Sequence, residues 1–444
     1  MDFFFTVFFE SIFGDEKVSQ LIWYFAAQQI ATAAIYRNKS LLSRLPAIIL
    51  NKHYEVCGDI VRFTLGENSR SFARKRKMPE TNMAQPRWIG GVEPRPELLT
   101  ATGTEVLEIE CREQPQKLSA LIQAYSRDTE IRAALAKLRG LSRRQGPVLF
   151  IGMGASYCSS FSGSVLLQTH GRPSFSVDAG EWLHYAQSVR ADAAVSVLLT
   201  TSGESAELVE LMRTGSDQPL GLISNNAAST CWSLTENRLP VMAGPEYGNA
   251  TKTYTNSAAA AIILASEMLE RPWQAEAERV AEIYANSLDR IFAGRRGLEE
   301  FCRGAVNIEI VGRGAAYGAA IMSALTIREM SGFRAAAHTG AGFKHGPNLD
   351  VDGTHVAIIY ALGRAAELGV KLAEECVRRG GKVVLASSED RAPADRLLPV
   401  RLDAVAEPWE GVTAILVAQA LTLAMVERTG CRLPPRFQYG PMEQ

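Results

Sequence analysis

The sequence predicts an α/β protein with two consecutive domains, each containing a parallel sheet that is covered by helices on both faces. Three observations support this prediction. The chain has 444 residues, which exceeds one ordinary hydrophobic core and indicates two domains. Short apolar segments rich in Val, Ile and Leu alternate with helical patterns, which is typical of doubly covered sheets. One strand–turn–helix segment also occurs twice in the chain.

The composition excludes several classes of protein. Hydrophobic residues make up 47% and charged residues 21% of the chain, as in soluble globular proteins. Lys and Arg total 47 against 48 Asp and Glu, so the basic excess of a nucleic-acid-binding protein is missing. No two of the seven cysteines have C-x-x-C spacing, so a structural zinc site is not expected. No His, Asp or Cys cluster has the spacing of metal ligands, so we expect no metal, and we expect no cofactor. Dispersed cysteines favour reduced thiols and a cytoplasmic location.

The first 82 residues differ from the rest of the chain. They begin with MDFFFTVFFESI, which lacks the basic start of a secretory signal, and no stretch there reaches the roughly 18 apolar residues of a membrane span. We interpret the basic run at 74–77 as a solvated loop instead of a nucleic-acid or targeting patch. The composition leaves open whether residues 1–82 are an uncertain, disordered extension or whether Met83 is the true start.

The remaining elements follow from hydrophobic periodicity. Apolar residues at helical spacing predict one helix over 114–138. Buried strands are predicted at 148–151, 195–199, 220–223, 308–311, 355–360 and 383–386. Helices are predicted at 205–213, 255–269, 315–331, 366–378 and 410–427. We therefore expect a leader at 83–139, a first domain at 140–271, a helical connector at 272–306, a second domain at 307–430 and a tail at 431–444.

The repeated segment is VLFIGMGASY at 148–157 and IEIVGRGAAY at 308–317, 160 residues later. Each copy is a hydrophobic strand followed by Gly-x-Gly-Ala-x-Tyr and a helix rich in small residues. Duplicated α/β domains commonly form clefts where strand ends meet helix starts. A dinucleotide fingerprint requires a third glycine where Tyr157 and Tyr317 stand, so we do not expect a nicotinamide site.

A better anion site follows the predicted strand at 195–199. Residues 200–205 read TTSGES, and their hydroxyls together with the N–H groups of a helix start could form a phosphate cradle without lysine. Gly203 allows close approach of the backbone. A helix capped by Ser or Thr is the plainer interpretation, and the loop alone does not decide between the two.

Five segments together resemble the double SIS (sugar isomerase) domain family. This family includes the isomerase half of glucosamine-6-phosphate synthase, amino-sugar-phosphate deaminases and fructosamine-phosphate deglycases. The segments are ECREQP at 110–115, GMGASY at 152–157, TTSGES at 200–205, AGPEYGNATK at 243–252 and the stretch from REMS to KHGP at 328–347. The resemblance spans about 105–430 and implies two tandem flavodoxin-like αβα domains, each with a five-stranded parallel sheet.

The resemblance also implies the catalytic residues. It places the family's catalytic Glu on Glu329 and its ring-opening His on His345. A carboxylate suits proton transfer between C1 and C2 of a sugar, and histidine titrates near neutral pH. Without the resemblance, Glu329 is an ordinary helix-surface residue and His345 a turn cap. Related proteins are dimers that borrow this His from the neighbouring subunit, so we expect a homodimer with a shared active site.

Other residues are assigned smaller roles. The expected substrate-binding residues are Gly154, Ala155, Ser156, Thr200, Thr201, Ser202, Ser205, Asn249 and Ala250. Four further residues are expected to have structural roles: Glu204 in the phosphate loop, Lys252 as a brace of its loop, and His184 and His338 as packed or surface side chains. Cys158 is expected to be a small buried hydrophobic residue.

Departures from the family pattern limit the choice of reaction. Ala155 replaces a Thr, Thr326 replaces a Lys three residues before the catalytic Glu, and Gly342 replaces a second Glu. Gly440 stands where the family has a tail lysine that assists ring opening. Asp2, instead of a nucleophilic Cys, follows Met1, so we do not expect glutamine-dependent amidotransfer.

The sequence therefore predicts an enzyme that acts on a phosphorylated amino sugar or ketosamine as an isomerase, deaminase or deglycase, with Glu329 as base and His345 as acid/base. One alternative is a non-catalytic sugar-phosphate-binding protein, a sensor or regulator. A second is a protein similar to the amidotransferase but without its glutaminase domain. Partners other than the sugar phosphate and a second subunit, including nucleic acid and membranes, are not expected.

Overall fold

The computed structural model describes residues 54–57, 60–63, 101–186, 192–214 and 219–431. The chain divides into two units, Met1–Ala84 and Gln85–Gln444. In the first unit, strands β1 (Tyr54–Cys57) and β2 (Ile60–Phe63) form an antiparallel pair that the sequence analysis did not predict. The basic run at 74–77, the start at Met83 and the tail residue Gly440 lie outside the described residues.

The second unit begins with two helices instead of the single predicted one. Helix α1 (Gly103–Arg127) starts at a capping box in which Thr102 and Glu105 satisfy each other's backbone N–H groups. Helix α2 (Thr129–Ser142) starts after Asp128, whose carboxylate accepts hydrogen bonds from the backbone N–H groups of two residues in the first turn. The prediction of one helix over 114–138 is wrong because Asp128 caps a new helix there.

The first sheet contains five parallel strands in the order β4–β3–β5–β6–β7. The strands are β3 (Val148–Gly152), β4 (Ser174–Asp178), β5 (Val195–Thr200), β6 (Leu220–Ser224) and β7 (Arg238–Pro240). The helices of this half are α3 (Ala155–Thr169), α4 (Ala179–Tyr185), α5 (Ala206–Thr214), α6 (Thr230–Ser233) and α7 (Lys252–Met268). Helices α8 (Gln274–Ala293) and α9 (Arg295–Cys302) lead to the second half.

The second sheet repeats this topology, with five parallel strands in the order β12–β11–β10–β8–β9. Its strands are β8 (Asn307–Gly312), β9 (Ala335–Thr339), β10 (His355–Ala361), β11 (Lys382–Ser387) and β12 (Leu397–Arg401). Its helices are α10 (Ala315–Ser331), α11 (Gly340–Lys344), α12 (Ala366–Arg378), α13 (Glu410–Thr413) and α14 (Ile415–Thr429), and short 3-10 turns lie at Pro347–Leu349 and Gly363–Ala365.

The predicted fold class is confirmed, and the missed strands share one property. All six predicted strands are present, and they are the three interior strands of each sheet. The four strands of these sheets that were not predicted, β4, β7, β9 and β12, are the edges of the two five-stranded sheets. Edge strands are only partly buried here, so they lack the continuous apolar run that identifies an interior strand. The domain boundaries remain predictions.

Helices rich in small residues pack closely where the two halves meet. An added Cβ atom on Gly318 of α10 would lie 2.4 Å from the carbonyl oxygen of Cys158 on α3, so only glycine permits this crossing. The segment Glu410–Thr429 is long and apolar enough to span a membrane, but 94% of its most apolar window is buried in the fold. That burial identifies it as a core helix, which the sequence analysis placed among the helices of the second domain.

The crossing at Gly318 leads to a prediction with a matched control. Gly318→Ala should destabilise the protein by about 1–3 kcal/mol because the new methyl group overlaps the α3 backbone. Gly297→Ala, on the exposed face of α9 where an added Cβ meets no atom within 4 Å, should stabilise it by about 0.5–1 kcal/mol. Urea unfolding of the two variants measures both effects, and equal stabilisation by both would contradict the tight crossing.

Candidate functional site

The candidate site lies at the carboxyl edge of the first sheet. From β3 the chain crosses to β4 on one side, and from β5 it crosses to β6 on the other side. Such a switch point opens a crevice beyond the strand ends, where α/β proteins bind ligands. The loop after β3 contains Gly154, and the loop after β5 is Thr200–Ser205. The two loops that the sequence analysis selected are therefore neighbours.

The turn after β3 has an unusual backbone that the repeat reproduces. Gly154 has φ 52° and ψ −125°, and Gly314 in the second copy has φ 56° and ψ −133°, a region that favours glycine. Both residues precede a helix without a side-chain cap. The backbone N–H groups of Ser156 and Tyr157, in the first turn of α3, both donate to the carbonyl of Met153, at 3.0 and 3.4 Å. Ser156 is in this first turn, and its hydroxyl has no partner among the described residues.

The loop at 200–205 uses two of its hydroxyls to hold its own shape. The backbone N–H of Gly203 donates to Thr200 Oγ1 at 3.0 Å, and that of Glu204 donates to Ser202 Oγ at 3.2 Å. Within the described residues, the hydroxyls of Thr201 and Ser205 make no hydrogen bond to protein, and both residues are partly exposed. These two hydroxyls lie just before α5, whose first N–H groups lack intrahelical acceptors.

Neighbouring residues fix this loop from outside. Gly203 has φ 69°, and a Cβ atom there would lie 2.0 Å from Ser229 Oγ. The Asn226 amide donates to the carbonyl of Ser202 at 3.0 Å. Glu204 accepts from the backbone N–H of Thr230 at 2.8 Å, which gives this acidic residue the structural role that we expected. The loop is thus held in place by protein contacts on several sides.

The segment 243–252 is held by carboxylates from two places. Glu246 accepts hydrogen bonds at 2.9 Å from the backbone N–H groups of Thr251 and Lys252, at the start of α7. Glu110, in the ECREQP motif, accepts from the backbone N–H of Tyr247 at 2.5 Å. Burial, reinforced by the nearby Glu246 carboxylate, raises the pKa of Glu110 well above its ordinary value. The motif therefore acts as a scaffold for this loop.

A second contact from the same motif confirms the bracing role of Lys252. Its ammonium group is fully buried and lies 2.6 Å from a carboxylate oxygen of Glu113. Gln114 accepts from the hydroxyls of Thr255 and Tyr284 at 2.7 and 2.8 Å. Lys252 therefore ties the start of α7 to α1.

The carboxylate of Glu329 reaches the same loop from the second half of the protein. The Asn249 amide donates to Glu329 Oε2, and the Thr326 hydroxyl donates to Asn249 Oδ1 at 2.9 Å. Asn249 is 2% exposed, Thr326 is fully buried and Glu329 is half-buried. Thr326 and Glu329 lie one turn apart on α10, on the same helix face. A single amide therefore orients the proposed catalytic carboxylate.

This Asn249–Thr326 contact was missed by the sequence analysis, which treated Thr326 only as a lost lysine. The available signal was that a polar residue stands three positions before Glu329 on one helix face. Its partner Asn249 lies 77 residues earlier in the chain, and no local sequence pattern indicates that the two residues meet.

The apolar floor of the site joins three of the predicted segments. Cys158 belongs to one buried cluster with Ala155, Ala250 and Leu325 packed around it. Burial, with a smaller contribution from the Glu329 carboxylate, raises the pKa of the Cys158 thiol to about 12. Cys158 is therefore an uncharged buried residue, as predicted. The cluster places Ala155 and Ala250 beside the face of α10 that carries Glu329.

The histidines occupy different environments. His345 follows α11, is exposed, and its side chain has no hydrogen bond or ion pair among the described residues. The structure therefore does not bring His345 to Glu329 within one chain. His338 pairs with Glu309 at 2.6 Å, and His184 is exposed on α4. Across residues 101–186, 192–214 and 219–431, no three His, Cys, Asp or Glu side chains form a possible metal site.

The second repeat lacks the hydroxyl cradle. The residues 160 positions after TTSGES read YALGRA, so every hydroxyl-bearing Ser and Thr is replaced, while Gly363 keeps the left-handed φ of Gly203, at 61°. A Cβ atom on Gly363 would lie 3.0 Å from a carboxyl oxygen of Glu410 and 3.2 Å from one of Glu407. Burial, with a smaller effect of Glu407, raises the pKa of Glu410 to about 8. The protein's own carboxyl groups lie against this turn.

Comparisons with known proteins confirm the resemblance to the SIS family. The family model described as the SIS domain matches residues 303–428. Glutamine–fructose-6-phosphate aminotransferase of Pyrococcus horikoshii is 27% identical over 296 residues, which cover 64% of this chain and 49% of the relative. The same enzyme of Zymomonas mobilis is 26% identical over 296 residues, with the same coverage. The chain spans about half the length of these curated relatives.

Solved structures show the same fold. The C-terminal domain of glucosamine-fructose-6-phosphate aminotransferase from Francisella tularensis has a TM-score of 0.66 and 21% identity, and the match covers 74% of this chain and 97% of that one. Tagatose-6-phosphate ketose/aldose isomerase from Escherichia coli has a TM-score of 0.64 and 18% identity, with 79% and 100% covered. Glucosamine-6-phosphate deaminase from Thermotoga maritima has a TM-score of 0.58 and 17% identity, with 74% and 96% covered.

Proposed function

We propose that this protein binds a phosphorylated amino sugar or ketosamine and transforms it by proton transfer between C1 and C2. The observation that carries the proposal is the position of Glu329. This carboxylate comes from the second half, and Asn249 holds it at a loop of the first half, which also provides the hydroxyl loop. A base held against the half of the protein that also contains a phosphate-type loop suits a sugar-phosphate substrate.

In this proposal the phosphate group binds at the loop after β5. The hydroxyls of Thr201 and Ser205 and the first N–H groups of α5 supply donors for its oxygens. Thr200 and Ser202 keep the loop in shape through their own backbone contacts. Gly154, Ala155 and Ser156 then line the sugar, and the hydroxyl of Ser156 adds a hydrogen-bonding group.

The chemical step needs a base and an acid. Glu329 takes the proton from the carbon next to the carbonyl, and the electron pair forms an enediol or enolamine. For a ketosamine, Glu329 takes the C1 proton, an enaminol forms, and protonation at C2 leaves an imine at C1. Water adds to this imine and the amine leaves. His345 supplies the acid/base group for ring opening, and it comes from a second subunit.

Three observations bear on the choice among related functions. Thr326 replaces a family lysine, and its hydroxyl orients Asn249, which favours deglycase or deaminase chemistry through the Glu and His alone. The exposed, unpartnered His345 equally suits a protein that binds sugar phosphate without turnover. The names of the curated relatives support the second alternative, an aminotransferase-like protein. A cytoplasmic location belongs to this proposal and is supported by six free thiols.

Glu329→Gln tests the proposed reaction. With glucosamine 6-phosphate, galactosamine 6-phosphate, fructose 6-phosphate and 6-phosphofructosyl amino acids as candidates, the variant should lose about 10²–10⁴-fold in kcat because the base is gone. Its affinity for the same ligand should change less than about threefold, since phosphate binding is elsewhere. Turnover assays and calorimetric titration measure the two quantities.

The control is Arg328→Gln, which removes an exposed charge next to Glu329 on the same helix and should keep turnover. Full activity of Glu329→Gln would exclude this residue as the base. Binding by the unmodified protein without turnover of any candidate would support the sugar-phosphate-binding alternative.

Thr326→Val tests whether the Asn249 amide positions the base. Loss of the 2.9 Å hydrogen bond should lower kcat by roughly tenfold to a hundredfold through misplacement of Glu329, with little change in KM. Thr326→Ser keeps the hydroxyl and should restore most of the activity. In a double-mutant cycle, Thr326→Val should add little to Asn249→Leu because both act through the same amide. Independent, additive losses would show that the two residues do not act as one unit.

Mixed dimers test the shared active site. Neither Glu329→Gln nor His345→Ala should be active alone, but after subunit exchange at equal amounts the mixture should recover about a quarter of the normal activity. Half of the dimers are then mixed, and each has one site with both groups intact. The control is the same mixture before exchange. No recovery after proven exchange would contradict the borrowed histidine.

A further inference from the structure

A cavity lies between the two halves of the protein, and its lining residues differ from those of the proposed active site. Its volume is about 440 Å³, within the range of small-molecule sites. One wall is formed by α3 and β4 of the first half, and the other by the Gly-x-Gly turn and α10 of the second half. None of the residues proposed for the sugar-phosphate site lines this cavity.

The cavity contains one formal charge, on Arg313. Arg313 is half-buried, and its side chain makes no hydrogen bond or ion pair within the described residues. A Cβ atom on Gly340 would lie 2.1 Å from the guanidinium carbon, so the group packs directly against the backbone there. A guanidinium has five N–H donors, and one that is partly removed from water without an acceptor favours binding of an anion.

Other polar groups surround this charge. Gly314 precedes the 17-residue helix α10 and gives it no side-chain cap. The N–H of Tyr317 donates to the carbonyl of Gly314 at 3.1 Å, whereas the N–H groups of Ala315 and Ala316 come too early in the helix to have an intrahelical acceptor.

On the opposite wall, the hydroxyls of Ser164 and Ser176 form a hydrogen bond of 2.8 Å to each other. Ser164 Oγ also donates to the carbonyl of Phe161 at 3.3 Å, so this pair of hydroxyls offers a ligand its remaining lone pairs, which suit a hydroxyl or N–H group of the ligand body.

Three aromatic side chains also line the cavity. Phe161 and Tyr317 pack edge to face with ring centroids 5.4 Å apart. Phe175, which also lines the cavity, is 53% exposed. A cationic end and an aromatic end together fit a ligand that has both an anionic group and a ring-shaped body.

Comparison of the two repeats shows that the charge is not needed by the fold. Arg313 stands where the first copy of the Gly-x-Gly turn has Met153, and the two turns have the same backbone geometry. Gln168, near the end of α3, lines the cavity, and no Asp or Glu side chain does so. The cavity therefore has groups for holding an anion but none for taking a proton from carbon.

We propose that this cavity is a second ligand site, which binds a phosphate monoester with a ring-shaped body and does not transform it. Arg313 binds the phosphate oxygens together with the first N–H groups of α10. The aromatic side chains cover the ring. A sugar phosphate and a nucleoside monophosphate share this chemistry.

Equilibrium dialysis of the full chain tests the site, with glucosamine 6-phosphate and adenosine 5′-monophosphate as probes. The measurements use Thr201→Val/Ser205→Ala, in which the hydroxyl loop is impaired, so that the proposed active site does not mask the second one. Adding Arg313→Met should weaken binding of at least one probe tenfold or more, and Arg313→Lys should weaken it less. The probe that binds more tightly shows whether the site prefers a sugar phosphate or a nucleoside monophosphate.

The control is Arg328→Met, which removes an exposed arginine that does not line the cavity and should leave binding unchanged. Arg313→Met in the otherwise unmodified protein should keep its turnover, so failure of this proposal is distinguishable from failure of the proposed function. If the Thr201→Val/Ser205→Ala protein binds each probe equally well with and without Arg313→Met, the proposal of a second site is wrong.

Discussion

The close crossing of α3 and α10 at Gly318 is the constraint on which the rest of the molecule depends. Because no side chain separates the two helices there, the second half lies directly against the first. Glu329, near the end of α10, can therefore reach Asn249 of the first half. The candidate site is assembled from both repeats, and neither repeat alone contains the loop, the cradle and the carboxylate.

Most of the distinctive motif residues hold the site in shape. Glu110 and Glu113 of the ECREQP motif fix the loop that carries Asn249, and Glu246 caps the helix that follows it. Thr200 performs the same task in the hydroxyl loop. A rigid frame of this kind keeps the ligand-facing groups in place before a ligand arrives, which lowers the entropy cost of binding. The long motifs therefore provide only a few groups for direct ligand contact.

The limits of prediction from the sequence have physical reasons. Interior strands were predicted because burial on both faces leaves a continuous apolar run, whereas edge strands such as β12 are only partly buried. The position of Glu329 followed from the resemblance. Its contact with Asn249 could not be predicted, because two residues 80 positions apart meet only through the packing of α3 and α10. The break at Asp128 has a local cause, a side-chain cap.

The two repeats share the backbone of this turn but differ in the side chains that surround it. Gly203 and Gly363 have the same left-handed turn, 160 residues apart, yet hydroxyls surround the first and the carboxyl groups of Glu407 and Glu410 lie against the second. A buried carboxyl group at that position disfavours a bound phosphate there by steric overlap and, once ionised, by repulsion. In the function we propose, the first repeat holds the phosphate and the second supplies the base. The difference in side chains between the two turns would make the proposed active site asymmetric although the backbone of the two repeats is similar.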